Sequence, residues 1–252
     1  MNDKEKLLEI CCYSLHSCKN AELGGADRIE LCGGFLEGGT SPSIGLVKEV
    51  LGQINIPVFI MIRPRGGDFC YSEDEILTMI ADIEIMKEYK PAGFVFGVLS
   101  ADGEVDNVNL KRLLNVSSPF PITFHRAFDR CVNPEKALEE LITLGIQNVL
   151  TSGQFNLAID GLDNLTKWVK LSNGRIQIMA GSGVSPGNIK KISESKVNAF
   201  HFSAKKAIQS KMIRTKNTIF MGGEGINEFL NYEADFELIQ QAKAVIEKLE
   251  KK

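Results

Sequence analysis

The sequence predicts an α/β protein built as a single closed (β/α)8 barrel, the TIM-barrel class, with a long irregular segment after the eighth strand. Three observations predict it. Short apolar runs flanked by Gly, Pro, Ser or Asp recur about eight times along the 252 residues, as buried parallel strands do. Helical stripes fill the intervals between them. Charged and reactive side chains stand at the strand ends, where a barrel has its mouth. An open doubly wound sheet is the alternative arrangement of the same units. No linker divides the chain, so 1–252 reads as one domain.

The first two strands are expected at 7–11 and 27–31. Leu8-Glu9-Ile10-Cys11 and Ile29-Glu30-Leu31-Cys32 repeat one pattern. Side chains alternate with period two, so Glu9 shares a face with Cys11 and Glu30 with Cys32. Carboxylates are rarely buried without partners, and two of them beside thiols on apolar strands suggest a polar cavity. Cys12 points toward the helices. Cys18 and His16 lie on the first helix, His16 at its surface. Leu46, Val47, Val50 and Leu51 mark a helix before the third strand at 57–62, whose inward face runs Phe59, Met61, Arg63. Ser72 and Glu75 form a capping box for a helix carrying Ile76, Met79, Ile80, Ile83 and Met86.

Further strands are expected at 93–98, 121–125 and 147–151, with Thr123 and His125 on the inner face of the fifth. Asn133-Pro134 opens a helix with Pro at its first position, and Ser185-Pro186 does likewise. Strands at 176–180 and 198–202 complete the set, His201 and Ser203 facing inward, and closure sets the eighth beside the first. The segment 204–234 reads as irregular. It is basic at first (Lys205, Lys206, Lys211, Arg214, Lys216), then Gly-rich at Met221-Gly222-Gly223-Glu224-Gly225. An amphipathic helix at 235–249 closes the chain.

Apolar residues make up 44% of the chain, enough for a sizeable core, and the net charge of −3 gives no reason to expect nucleic acid or an anionic membrane surface. No apolar run approaches the ~20 residues that span a bilayer. The charged start, Met1-Asn2-Asp3-Lys4-Glu5-Lys6, lacks the apolar region of a signal peptide, so a cytoplasmic location is expected. The cysteines at 11, 12, 18, 32, 70 and 131 form no CxxC pair and fit neither a zinc ribbon nor a redox dithiol. They read as reduced, with Cys70 and Cys131 exposed in loops.

One cavity thus gathers Glu9, Glu30, Cys11, Cys32, Arg63, His125, His201 and Ser203. Groups of such different kinds favour a ligand site, the plainer alternative being a polar core whose charges satisfy one another. Gly181, Ser182 and Gly183 follow the seventh strand, where barrels often hold phosphate, although the same residues also make an ordinary tight turn. Thr151-Ser152-Gly153 reads as a turn. His125 is a general acid/base, a metal ligand or a structural residue. Arg126 and Asp129 contact substrate or pair with each other. Arg63 is placed to grip a carboxylate or phosphate, while Arg65 reads as solvated. Cys11 and Cys32 suit Cu(I), or serve as small buried hydrophobes. No lysine sits inside a strand and strand six ends in Thr151, which argues against Schiff-base chemistry.

Five segments together resemble the CutC family: Gly24-Gly25-Ala26-Asp27-Arg28-Ile29-Glu30-Leu31-Cys32, Gly38-Gly39-Thr40-Ser41-Pro42-Ser43, Ile62-Arg63-Pro64-Arg65-Gly66-Gly67-Asp68-Phe69, Phe124-His125-Arg126-Ala127-Phe128-Asp129 and Gly181-Ser182-Gly183-Val184. The resemblance runs from about 7 to 203. It implies a (β/α)8 barrel, a cytoplasmic homo-oligomer (dimer or tetramer), a role in copper homeostasis, and copper at the positions of Cys11 and Cys32. Two functions follow as expectations. One is Cu(I) binding through those cysteines. The other is a metal-independent barrel enzyme (lyase, isomerase or hydrolase) for a small anionic or phosphorylated substrate. In the enzyme, Glu9, Glu30 and His125 handle protons, and Arg63 with the 181–183 loop holds the anion.

Overall fold

A computed structural model describes residues 6–212 and 226–250. Eight parallel strands close into a barrel in sequence order, β1 pairing with both β2 and β8. The strands are β1 (Leu7–Cys12), β2 (Arg28–Leu31), β3 (Val58–Met61), β4 (Gly93–Phe96), β5 (Ile122–Phe124), β6 (Asn148–Thr151), β7 (Gln177–Gly181) and β8 (Ala199–Phe202). Between them run α1 (Leu15–Leu23), α2 (Ile44–Leu51), α3 (Glu73–Met86), α4 (Asn107–Ser117), α5 (Pro134–Thr143), α6 (Leu162–Ser172) and α7 (Ile189–Ile192). The capping box of Ser72 and Glu75 is present, and Pro134 opens α5.

Strand parity sorts the core into two zones. Outward residues such as Leu8, Ile10, Ile29, Ile60, Phe94 and Phe200 join the helices in one large apolar cluster. Inward residues form two small apolar patches, Cys11, Cys32, Phe59, Met61 and Val95 on one side and Leu150, Met179 and Ala199 on the other. The rest of the lumen is polar. Gly93 makes room for Phe59, since a Cβ there would meet that ring at 2.4 Å.

Three expectations change. The segment 204–234 is irregular only in part. β9 (Lys205–Gln209) pairs antiparallel with β10 (Leu230–Ala234), and the Ala234 carbonyl accepts the Asn20 side chain of α1 at 2.9 Å. That ribbon is solvent-exposed along most of its length, so it carries no apolar alternation to betray it. Arg214, Lys216 and the Gly-rich run 221–225 lie outside the described residues. Ser185-Pro186 opens no helix. The Asn188 side chain accepts the Ser185 N–H at Oδ1 at 2.8 Å and donates from Nδ2 to the Gly183 backbone carbonyl at 2.7 Å, which holds a turn before the short α7. Cys131 is buried, not exposed, beneath the 3-10 turn Arg126–Arg130. A final helix, α8 (Phe236–Glu250), packs between α7 and α1 and so spans the closure of the barrel.

Candidate functional site

Barrel closure assembles the site. The β1–β8 register sets His201 opposite Glu9, and the β1–β2 register sets Arg28 opposite Glu9 and Glu30 opposite Cys11. His201 Nδ1 lies 2.7 Å from Glu9 Oε1, and its Nε2 lies 3.7 Å from Glu30 Oε2. Arg28 Nε donates to Glu9 Oε2 at 2.5 Å. Each oxygen of Glu9 therefore faces a cation. Burial alone would raise its pKa, but Arg28 and His201 outweigh burial and hold the carboxyl at about 2. Burial likewise opposes charge on His201, yet Glu30, Cys11 and Glu9 around it hold its pKa well above the ordinary value. Glu30 is pushed well up by burial and by the negative Cys11 beside it. Its Oε1 is buried without a partner among the described residues.

Arg28 escapes a search for reactive groups at strand ends. The signal that finds it is the spacing of two from Glu30, which puts both on the inner face. Its guanidinium sits 4.2 Å over the Phe59 ring.

The Cys11 and Cys32 sulfurs are 3.7 Å apart, unbonded neighbours rather than a disulfide at ~2.05 Å. Cys32 Sγ is 3.4 Å from Glu30 Oε2. The hydrogen bond between Cys11 and Cys32, helped by His201, holds the Cys11 thiol well below its ordinary pKa, whereas burial pushes Cys32 well up. Cys11, Glu30 and Cys32 offer donor atoms within 4.8 Å of one another, as do Glu9, Glu30 and His201. The first set is soft and accessible through Cys11. The second is consumed by the ion pairs of Glu9 with Arg28 and His201.

A cavity of about 550 Å³ opens above these groups, with Cys11, Glu30, Arg63, His125 and His201 in its wall. Glu9 and Cys32 lie behind it. Ser182, Gly183, Ser203 and Lys205 line the rim; Gly181 does not. Ser182 and Gly183 both have positive φ (77° and 66°), and the Ser182 hydroxyl donates to the Asn156 carbonyl at 2.7 Å. That loop is therefore braced against the segment after β6.

Arg126 lines the cavity and pairs with Asp129 at 2.8 Å. Asp129 does not reach the cavity. Its oxygens accept from the Thr151 and Ser152 hydroxyls and from the Ser152 and Gln154 N–H groups, so it ties the β5 turn to the end of β6. His125 is buried, and burial together with the Arg63 charge lowers its pKa to about 3. Arg63 donates from Nη1 to the Glu37 and Gly39 carbonyls and from Nη2 to the Gly67 carbonyl.

Fold and site define a (β/α)8 barrel with its reactive groups gathered at the C-terminal ends of the strands, the arrangement of barrel proteins that act on small ligands. The sequence profile of the CutC family matches residues 6–206, and the chain belongs to that family. It is similar to the human copper homeostasis protein cutC homolog, 46% identical over 217 residues, spanning 86% of this chain and 80% of that one. It is also similar to a CutC family protein of Parabacteroides distasonis, 44% identical over 239 residues, 94% of this chain and 98% of that one. The crystal structure of a Streptococcus agalactiae CutC superposes with a TM-score of 0.75 at 32% identity, covering 79% of this chain and 98% of that one. Among the described residues no helix is long and apolar enough to cross a membrane.

Proposed function

We propose that this chain binds Cu(I) as cargo through Cys11 and Cys32 and serves copper homeostasis in the cytoplasm. The observation that carries the reading is the pair of sulfurs 3.7 Å apart, one of them held toward the thiolate, at the base of an open cavity. Soft thiolates select Cu(I) over harder ions. The six cysteines are free, which suits a reducing compartment. Cys32 is fully buried, so an ion coming from the cavity meets Cys11 first. Titration of Cu(I) against a calibrated chelator tests this. Wild type should hold one ion per chain, and a Cys11→Ser/Cys32→Ser variant should lose it. Equal affinity in the two proteins would overturn the reading.

Arg63 favours a second reading, an enzyme acting on a small anionic or phosphorylated substrate as lyase, isomerase or hydrolase. This cation is 6% exposed, lines the cavity, and has no carboxylate partner among the described residues. Buried charge of this kind calls for an anion. Glu30, whose pKa burial raises and which faces the cavity, is the proton donor in this reading, and the rim at Ser182, Gly183 and Ser203 receives the anion's far end. Turnover of a small acid that Glu30→Gln abolishes would establish it. A homo-oligomer with no nucleic-acid or membrane partner goes with either reading.

A further inference from the structure

Two buried side chains on one wall of the cavity each hold a hydrogen-bond donor with no partner among the described residues. Arg63 commits both terminal nitrogens to backbone carbonyls of Glu37, Gly39 and Gly67, which fixes the guanidinium plane. Its Nε–H is buried and unpartnered among the described residues. His125 is 4% exposed, and its Nδ1 accepts the Ala127 N–H at 3.2 Å. A neutral imidazole that accepts at Nδ1 carries its proton on Nε2. That Nε2 is also buried and unpartnered. Phe69 packs against both groups, its ring centroid 4.9 Å from the Arg63 guanidinium carbon and 4.8 Å from the imidazole centroid. Gly97 leaves the space that the imidazole occupies, since a Cβ there would come within 2.6 Å of Nδ1.

We propose that Arg63 Nε–H and His125 Nε2–H are the two donors of a site that binds the carboxylate of a small organic acid. Both nitrogens are donors, and among the described residues the buried Tyr71 hydroxyl beside Arg63 is likewise unpartnered and Arg63 has no carboxylate partner. A monoanionic carboxylate matches that set. A phosphate dianion, with about twice the charge and three acceptor oxygens, asks for more donors than the site has. His125 is then a fixed, neutral hydrogen-bond donor and not a proton carrier, in keeping with its low pKa. The inference rests on the enzyme reading and narrows its substrate: the carboxylate anchors between β3 and β5, and the rest of the acid reaches across toward Glu30 and His201.

Protein labelled with 15N at histidine and arginine tests this by long-range proton–nitrogen spectra, with sodium acetate and sodium phosphate as probes. Only three histidines need assignment, and His125→Gln assigns the one concerned. His125 should appear as the neutral Nε2–H tautomer from pH 8 to pH 5. Acetate should shift His125 Nε2 and Arg63 Nε saturably, and phosphate should not. Arg63→Gln should weaken acetate binding about tenfold or more, and His125→Leu should weaken it more than His125→Gln, which keeps a donor. Gly97→Ala should displace the ring and weaken binding with Arg63 intact. An Nδ1–H tautomer, an imidazolium at pH 7, or acetate shifts elsewhere would overturn the inference, and wild-type spectra alone decide this if Arg63→Gln fails to fold. Acetate binding at these two nitrogens without turnover of any acid would leave the site standing and remove the enzyme reading.

Discussion

His201 Nδ1 lies 2.7 Å from Glu9 Oε1 across the seam where β8 closes onto β1, joining residues at opposite ends of the barrel sequence. Arg28 holds the other oxygen of the same carboxylate. The three side chains form one cluster with the carboxylate between two cations, and they position the imidazole whose other nitrogen faces Glu30.

Removing one member leaves a buried charge exposed to the low dielectric. Arg28→Gln should therefore destabilise the fold by about 3–5 kcal/mol. Adding Glu9→Gln should restore part of that loss, because the oxygen that Arg28 held then carries no charge. Urea unfolding of the three proteins measures both effects, and a single-variant cost below ~1 kcal/mol would contradict the account.

The pH dependence of stability should carry a His125 component. Its pKa is about 3 when folded and ~6.5 when unfolded, so between these values only the unfolded chain binds the proton. The contribution is whole above pH 6.5 and lost as pH falls toward 3. Glu30, whose folded pKa is raised, acts with the opposite sign above ~4.5, so the quantity to read is the difference between wild type and His125→Gln. That stability gap should shrink by about 1.4 kcal/mol per pH unit from pH 6 to pH 4.5. A gap that does not vary with pH would show that the ring takes up its proton in the folded protein.

Asp129 is expected to matter for folding and not for copper. Asparagine at this position would turn an amide toward the donors of Thr151, Ser152 and Gln154. Asp129→Asn should cost about 2–4 kcal/mol in denaturation while Cu(I) affinity stays within about twofold of wild type. A large fall in affinity at unchanged stability would make Asp129 part of the binding site.

Gly39 has φ +101° and lies over Cys32, where a Cβ would approach the sulfur to 3.3 Å. Gly39→Ala should destabilise by about 1–3 kcal/mol through backbone strain and should weaken Cu(I) binding without removing a ligand. Competition with a chelator reads the second effect, and unchanged affinity would show that the sulfurs tolerate the displacement.

The amino-acid sequence by itself determined the βα alternation, the strand positions and the inward parity of Glu9, Cys11, Glu30, Cys32, Arg63 and His125. These are local properties, set by side-chain period and by Gly and Pro punctuation. Arg28 was within reach of the same parity, but its partner was not, since Glu9 meets Arg28 only through the β1–β2 register. Tertiary structure alone decided which charges cancel. Closure brought His201 to Glu9, the turn after β5 carried Asp129 to β6 and away from the cavity, and the carbonyls of Glu37, Gly39 and Gly67 held Arg63 without an acid. The exposed β9–β10 ribbon was also beyond local reading, because its pairing is made by backbone hydrogen bonds and leaves no apolar pattern. Periodicity reports which way a side chain points, whereas its protonation and its freedom to bind depend on neighbours that only the closed barrel supplies.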